Sequence, residues 1–275
     1  VEATQTKQTT PTTTAMCKRA TTLHKETCTN NNSTGNCRAD GYALNSEIEY
    51  GSLGTEGTLT SGDAFDCDVN GDGTYDPETE RFYYVSDATN GITSDSDTAV
   101  LIYYSNVSGG VPSNTTCAYY GAANENWHGP VTAIKQLPTT SQWKTRLTNT
   151  KRQITTETGT TSTSGGTLPT EFSYEGYAAR LLTAQEVNVG CEFTVGSSTT
   201  GELSTKCKYL MENTRYSNAS IGVYGEWLES PRATVSDYVW DVNGAARIVY
   251  NTTVKYADNY GVRPAIEVAK SNISY

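Results

Sequence analysis

Residues 237–268, DYVWDVNGAARIVYNTTVKYADNYGVRPAIEV, carry the pattern that decides the fold. Apolar and polar side chains alternate over 239–242 and again over 247–250, which is typical of two short strands. Asn243-Gly244 lies between them and can supply the positive φ angles of a tight hairpin turn. The stretch therefore predicts an antiparallel hairpin whose polar residues face outward. The side chains predicted to face inward are Trp240, Val242, Ile248 and Val249.

The composition describes a polar, acidic chain that is rich in aromatic residues. Its 275 residues can bury a sizeable core, as one large β-containing domain or two small ones. Charged residues make up only 18 %, while 19 Tyr and 4 Trp provide rigid aromatic mass for cores or contact surfaces. The net charge is −10, and no cluster of Lys and Arg is present to neutralise phosphates. We therefore expect no nucleic-acid partner, and the short apolar runs predict no membrane insertion.

Seven cysteines favour disulfides over a zinc site, because none are in Cys-x-x-Cys spacing and only two histidines accompany them. Cys191 and Cys207 flank one polar loop, and Cys28 and Cys37 flank another. Each closure predicts a disulfide worth about 3 kcal/mol on the chain-entropy model. Disulfides and an N-terminal segment without the features of a signal peptide predict a mature protein that is secreted or surface-displayed. The cysteines whose pairing stays open, with one odd thiol free or intermolecular, are Cys17, Cys67 and Cys117.

Three segments organise the chain. Residues 1–16 form a Thr-rich arm that is predicted to be extended or disordered unless it docks on something. Residues 17–46 form a disulfide-bearing segment, and residues 47–275 form the main domain. That domain opens with three strand patterns, GDAFDCDV, ERFYYVSD and DTAVLIYYSN, which we expect to be consecutive and antiparallel.

Two helices are predicted after these strands. One covers 137–147, where Thr139 to Ser141 can cap it, and the other covers 181–191, where Thr183 and Glu186 have the spacing of a capping box. Strands, two short helices and a loop-rich C-terminal sheet together predict an α+β fold.

Four stretches of the second half carry a family resemblance: ARLLTAQEV (179–187), GEWLESPRA (225–233), VWDVNG (239–244) and GVRPAIEV (261–268). In this order they resemble the C-type-lectin-like superfamily, in the branch of formylglycine-generating enzymes and of the variable proteins of diversity-generating retroelements. The match is nearest to secreted proteins of gut Firmicutes. The resemblance implies a C-type-lectin-like fold but not the enzymatic activity, which depends on a late cysteine pair that is missing after Cys207.

The same resemblance divides the C-terminal region into framework and contact residues. Trp227 and Trp240 are expected in the core, and Arg263 is expected to pair with Glu267 or Asp258. Contacts are placed on the loops and outward strand positions, where Tyr and Asn suit an adaptable binding face. An ordinary solvated polar surface is the alternative interpretation. The implied ligand-binding residues are Asp237, Tyr238, Asp241, Asn243, Ala245, Ala246, Tyr250, Asn251, Lys255, Tyr256, Asp258 and Asn259.

A second motif, DVNGDGTYDPETE at 68–80, has the order of oxygen ligands found in calcium loops. Its twelfth position is Thr79, and the usual Glu is displaced to Glu78 or Glu80, so the spacing is compatible both with a structural Ca²⁺ site and with a metal-free turn. The expected ligands are Asp68, Asn70, Asp72, the Thr74 carbonyl and Asp76.

Two functions from different classes remain. One is an adhesin or receptor that binds an extracellular protein or glycan. The other is a structural subunit of an extracellular filament that self-assembles through residues 1–16, by adding a strand to a neighbour's sheet edge. No nucleophile elbow or phosphate loop is present, and His128 in NENWHGP is expected to be a loop or core residue, so we do not expect an enzyme.

Overall fold

The computed structural model describes these residues: 14–29, 43–161, 171–191, 201–202, 205–214, 223–243 and 248–275. Side chains are not described for 201–206 and 244–250. Predictions that concern residues 1–13, Cys37, Ala245, Ala246 or the side chain of Tyr250 therefore lie outside the described residues.

Strands dominate the described part of the chain, and they are numbered in chain order. They are β1 (Cys17–Arg19), β2 (His24–Thr27), β3 (Glu47–Tyr50), β4 (Ala64–Cys67), β5 (Arg81–Thr89), β6 (Ser94–Tyr103), β7 (Val107–Ser108), β8 (Val111–Pro112), β9 (Lys151–Gln153), β10 (Glu171–Ser173), β11 (Gly201–Glu202), β12 (Gly225–Pro231), β13 (Tyr238–Asn243), β14 (Ile248–Thr253), β15 (Tyr260–Gly261), β16 (Ala265–Ala269) and β17 (Ile273–Ser274).

The main sheet has six strands in the order β16-β6-β5-β4-β1-β17. The three strands predicted from 62–106 are its β4, β5 and β6, and they pair as consecutive antiparallel neighbours, as expected. Strand β1 pairs antiparallel with β4 and parallel with β17, so part of the 17–46 segment lies within this sheet. Strand β16, from the far end of the chain, closes the other edge against β6.

The second sheet has the order β11-β14-β13-β12-β15. Strands β13 and β14 form the predicted hairpin, with Trp240 opposite Asn251 and Asn243 opposite Ile248. Asn243 is the last residue of β13, and the rest of the predicted turn, from Gly244 onward, lies outside the described residues. Smaller two-stranded ladders join β2 to β3, β7 to β8 and β9 to β10.

The predicted α+β class is wrong: strands account for 36 % of the structure and helices for 11 %, and the described residues include one α-helix, α1 (Ala184–Cys191). This helix begins where the capping box predicted, since the Glu186 N–H donates to the Thr183 hydroxyl at 3.1 Å and the Thr183 N–H donates to the Glu186 carboxylate at 2.8 Å. Short 3₁₀ turns cover Asn126–His128, Ala133–Gln136, Thr205–Met211 and Lys270–Asn272.

The helix predicted over 137–147 does not form. One turn begins there, with the Trp143 N–H donating to the Thr139 carbonyl at 3.0 Å. The next donor leaves the helical path, because the Lys144 N–H donates to the Val69 carbonyl at 2.6 Å. A tertiary hydrogen bond therefore replaces the local one that would have continued the helix.

Both faces of the main sheet are buried. Along β5, Phe82 packs on one side and Tyr83 on the other, and along β6 Leu101 and Ile102 do the same. A sheet covered on both faces needs a continuous apolar run, which explains why FYYV and AVLIYY do not alternate. The second sheet contributes to both cores, with Trp227 in one and Trp240 in the other.

Two disulfides lie within the described residues. The predicted pair Cys191–Cys207 is present, with the two Cα atoms 5.7 Å apart. Cys17 and Cys67, whose pairing the sequence left open, face each other across β1 and β4 and are bonded, with Cα atoms 4.0 Å apart. Cys28 is buried and disulfide-bonded, while its predicted partner lies outside the described residues. Disulfides fit an extracellular location.

Candidate functional site

The residues implied as ligand contacts do not share one face of the hairpin. Asp241 is fully buried and Asn251 is only 5 % exposed, so the expectation that these two point outward is wrong. The physical reason is that the second sheet is covered on both sides, which leaves the middle of β13 no solvent face. Trp227 and Trp240 are buried, as expected for framework residues.

The Asp241 carboxyl lies among polar neighbours that do not pair with it well. The hydroxyls of Thr252 and Tyr260 are close enough to lower its pKa somewhat, but neither makes a hydrogen bond of normal geometry to its oxygens. Burial dominates and raises the pKa of Asp241 to about 8. Asn243, at the end of the strand, donates from its side-chain amide to the Tyr260 hydroxyl at 3.1 Å. Asp241 is thus a buried acid that is protonated at neutral pH.

Of the implied residues that remain at the surface, four lie at the opposite end of the hairpin. Asp237 and Tyr238 are partly exposed where β13 begins, and Lys255 and Tyr256 are exposed just after β14. The two pairs adjoin, because Tyr238 lies opposite Thr253 and the Val254 N–H donates to the Asp237 carbonyl at 2.9 Å. Asp258 and Asn259 follow on the turn that leads into β15, where the Asn259 carbonyl accepts the Tyr224 N–H at 2.8 Å.

A loop from the first half of the chain lies beside this end of the hairpin. The Tyr120 N–H donates to the Val254 carbonyl at 3.1 Å, and the Asn124 amide donates to the Asp237 carboxylate at 3.0 Å. The loop therefore shares one surface with Asp237, Tyr238, Lys255 and Tyr256.

Three rings of this loop form an aromatic shelf, which consists of Tyr120, Trp127 and His128. The Tyr120 and His128 rings are stacked, with centroids 4.5 Å apart and planes 20° apart. The Trp127 ring lies next to His128, with centroids 5.8 Å apart and planes 31° apart. All three side chains are partly exposed. The three rings therefore form one partly exposed aromatic cluster.

The shelf is held in place by Asn126, which is fully buried beneath it. Its side-chain amide donates to the backbone carbonyls of Arg232, Val235 and Tyr238, at 3.0, 2.8 and 2.7 Å. Its backbone N–H donates to the Ser236 carbonyl at 2.8 Å. One side chain thus fixes the 232–238 loop against the shelf, so the two parts of the surface are held in a defined relative position.

The rim of the shelf carries hydrogen-bonding groups of both kinds. The Glu125 carboxylate lies 2.7 Å from Nε2 of His128, and Asn124 and Asp237 present an amide and a carboxylate beside it. Lys255 adds a mobile ammonium donor. Rings flanked by such groups can bind a ligand that has an apolar face and several hydroxyls.

Sequence reasoning missed the aromatic shelf and assigned His128 to a loop or core role. The available signal was the dipeptide Trp127-His128 next to Asn126 in NENWHGP, a dense aromatic and amide motif in a loop bounded by Gly121 and Gly129. What it lacked was any sign that residues about 110 positions later would lie beside it.

The acidic loop at 68–80 connects β4 to β5 in the main sheet. The Asp68 carboxylate accepts the N–H groups of Gly71, Asp72 and Gly73 at 2.8 to 3.0 Å, and Asp72 accepts the Thr74 N–H at 2.8 Å. Both carboxylate oxygens of Asp76 accept a hydrogen bond at 2.9 Å, one from the Glu78 N–H and one from the Thr79 hydroxyl. Within the described ranges, no three His, Cys, Asp or Glu side chains converge as a metal-holding group as they stand.

The described residues contain no helix that is long and apolar enough to cross a membrane. Comparison with protein-family models, with curated proteins and with solved structures found no match for this chain. The family resemblance, and the filament hypothesis that depends on residues 1–16, therefore stay predictions.

Proposed function

We propose that this chain is an extracellular glycan-binding protein, secreted or displayed at a cell surface. Its contact surface is the aromatic shelf together with Asp237, Tyr238, Lys255 and Tyr256. The single observation that carries the proposal is the stacked, partly exposed ring set placed on a buried asparagine that also positions the 232–238 loop. Disulfides support the extracellular location.

The chemistry of the surface favours a sugar. The flat C–H face of a pyranose packs on an aromatic ring, and the sugar hydroxyls pair with carboxylate, amide and ammonium groups at the rim. Trp127 and Tyr120 supply the apolar contact, while Asn124, Asp237 and Glu125 supply acceptors and donors. Rings that served only the core would be covered, as Trp227 and Trp240 are.

The size of the shelf also favours a glycan over a protein as the ligand. The three rings are each only partly exposed, so the aromatic surface that they offer is small. A stable protein complex buries about 800 Å² on each partner, which is more than three partly exposed rings can offer. A short oligosaccharide is matched to a patch of this extent.

The proposal is tested on a glycan array with the full chain and two single variants. Trp127→Ala removes a shelf ring, and Tyr275→Ala removes a partly buried tyrosine at the end of β17 in the other sheet. We expect the Trp127 variant to lose binding to the best array glycan by about 30-fold, which corresponds to about 2 kcal/mol of lost aromatic contact. The Tyr275 variant should bind like the wild type, and both should melt cooperatively.

An adhesion assay on intact cells distinguishes a glycan ligand from a protein ligand. Periodate oxidation of the target surface should abolish adhesion if the ligand is a glycan, whereas protease treatment alone should leave much of it. Adhesion that resists periodate and is lost with protease would assign a protein ligand and contradict the proposal.

A further inference from the structure

One buried carboxylate of the main sheet has an oxygen with no partner. Glu80 precedes β5, is 2 % exposed, and its Oε1 has no hydrogen-bond partner among the described residues. Its Oε2 accepts the Asp76 N–H at 2.9 Å. An unpartnered carboxylate oxygen in the interior is costly unless a cation completes it.

The hairpin places this carboxylate at the acidic loop. Asp66 lies opposite Arg81, and the Cys67 N–H donates to the Glu80 carbonyl at 3.0 Å, so the ladder brings Asp68 next to Glu80 where the two strands end. The Asp76 N–H that donates to Oε2 belongs to the acidic loop, so the Glu80 carboxylate is directed toward that loop.

The loop itself is already folded around oxygen atoms. Gly73, at the sixth position, has a φ of +84°, a conformation that residues with a Cβ rarely adopt. The side chains of Asp68, Asn70 and Asp72 all turn back into the loop, where each accepts backbone N–H groups of the next residues. Oδ1 of Asp68 and Oδ1 of Asp72 each accept two hydrogen bonds, whereas Oδ2 of Asp68 accepts one, so the Oδ2 atoms are the ones with lone pairs for a cation.

We propose that the loop from Asp68 to Glu80 binds a calcium ion. The ligands are the side chains of Asp68, Asn70, Asp72 and Glu80 and the carbonyl of Thr74, with water completing the six to eight oxygens that Ca²⁺ takes. Glu80 stands one position later than the glutamate of a twelve-residue calcium loop. Asp76 is not a ligand, because both of its oxygens cap the turn at 78–79.

The ion draws together three carboxylates that repel one another without it, so we expect Asp72 and Glu80 to approach Asp68 on binding. This closure ties the first strand to the sheet, since the Asp68 N–H donates to the Met16 carbonyl at 2.9 Å and Lys18 lies 4.3 Å over the Tyr75 ring. Calcium thereby stabilises the junction where residues 14–19 join the domain. The inference does not depend on the glycan proposal.

Calorimetric titration of the full chain with CaCl₂ tests the site, with matched variants Glu80→Gln and Glu78→Gln. Glu78 is exposed and belongs to the same loop, so the same substitution there changes the loop charge equally. We expect one ion per chain with a Kd of about 10⁻⁴ to 10⁻³ M for the wild type and for the Glu78 variant. The Glu80 variant should bind at least about 10-fold more weakly.

Thermal melting provides the second readout. In chelator the Glu80 variant should melt at or above the wild type, because it lacks the unpartnered buried charge. At about 10 mM Ca²⁺ the order should reverse, with the wild type raised by about 5 °C. Absence of binding to the wild type, or equal affinities of the two variants, would overturn the proposal, and so would a melting order that calcium does not change.

Discussion

Strand β12 buries two glutamates three residues apart, and their surroundings are opposite. Glu229 accepts two hydrogen bonds from Arg152, at 3.1 and 2.9 Å, and a third from the Tyr174 hydroxyl at 2.9 Å. Glu226 has no hydrogen bond to either carboxylate oxygen within the described residues, and Arg263 lies 3.8 Å away. The same side chain on the same strand is fully paired in one position and nearly unpaired in the other.

The paired side consists of Glu229 with its partners and of a second set of ion pairs around Arg180. These ion pairs join distant parts of the chain. Arg180 donates to Glu186 of α1 at 2.5 Å and to Glu267 of β16 at 2.7 Å. Burial alone would raise the pKa of Glu186, but the charge of Arg180 and its hydrogen bonds hold it below the ordinary value. Such a network is stable only while every member is present.

The unpaired side, which consists of Glu226 and Asp241, contains buried carboxyl groups whose neutral form is favoured. Burial raises the pKa of Glu226 to about 8, with Arg263 lowering it only in part, and Asp241 on the neighbouring strand has a pKa of about 8. The predicted pairing of Arg263 with Glu267 or Asp258 is wrong, because Arg263 instead donates to the backbone carbonyls of Tyr103 and Tyr209. The Arg263 nitrogen that faces Glu226, Nη1, makes no hydrogen bond among the described residues, and at 3.8 Å it is too far away to make one to Glu226.

The carboxyl groups of the two sides make the free energy of unfolding depend on pH in opposite directions. Above the ordinary pKa of 4.5 for Glu226, the unfolded chain releases a proton that the folded protein keeps up to about pH 8. Stability therefore falls as the pH rises through this window. The lowered pKa of Glu186 acts in the other direction, because its contribution is lost as the pH falls below its ordinary value. Of these two groups, Glu226 therefore favours the folded state at low pH and Glu186 favours it above the ordinary glutamate pKa.

Removing the centre of the paired network should have the largest effect. Arg180→Met leaves Glu186 and Glu267 buried without their cation, so we expect a loss of about 4 kcal/mol in the free energy of unfolding, measured by urea denaturation. Lys25→Met is the control, because Lys25 bridges Glu47 and Glu49 at the surface, where removing an ion pair should change the free energy of unfolding far less. Similar losses for the two variants would mean that the buried network contributes no more than a surface pair.

Neutralising the unpaired glutamate should stabilise the protein at high pH. Glu226→Gln removes the proton release, so its free energy of unfolding should match that of the wild type near pH 5 and exceed it by about 3 kcal/mol at pH 8, about 1 kcal/mol for each pH unit. The matched control is Glu229→Gln, which should lose about 2 kcal/mol at both pH values because Arg152 loses its charged partner. Parallel pH profiles for the wild type and Glu226→Gln would show that Glu226 does not titrate in this range.

The smallest predicted effect tests one hydroxyl of the paired side. Tyr174→Phe keeps the ring in the core and removes the hydroxyl that donates to Glu229 and accepts the Leu181 N–H at 3.3 Å, so we expect a loss of about 1.5 kcal/mol, independent of pH between 5 and 8. Equilibrium urea denaturation at both pH values measures it. A loss below about 0.5 kcal/mol would show that Arg152 alone satisfies Glu229.

Much of the local structure followed from the sequence. The strands β4, β5 and β6, the hairpin of β13 and β14 and the cap of α1 at Thr183 all formed where residue patterns predicted them. The candidate site was predicted only in part: Asp237, Tyr238, Lys255 and Tyr256 are at the surface, but the aromatic shelf beside them was missed. Hydrophobic periodicity reports which side chains avoid water, and it says nothing about which distant loop will cover the remaining face.

The sequence by itself determined the features that neighbouring residues build together: the capping box of Thr183 and Glu186, the Cys191–Cys207 closure and the apolar runs of the main sheet. Tertiary structure alone decided the burial of Asp241, the failure of the 137–147 helix and the pairing of Cys17 with Cys67. Each of these depends on a group far away in the chain, such as the Val69 carbonyl that accepts the Lys144 N–H. Local free-energy differences of about 1 kcal/mol are smaller than the free energy of burying a side chain or pairing a buried polar group, so contacts between distant segments override local preference where the two disagree.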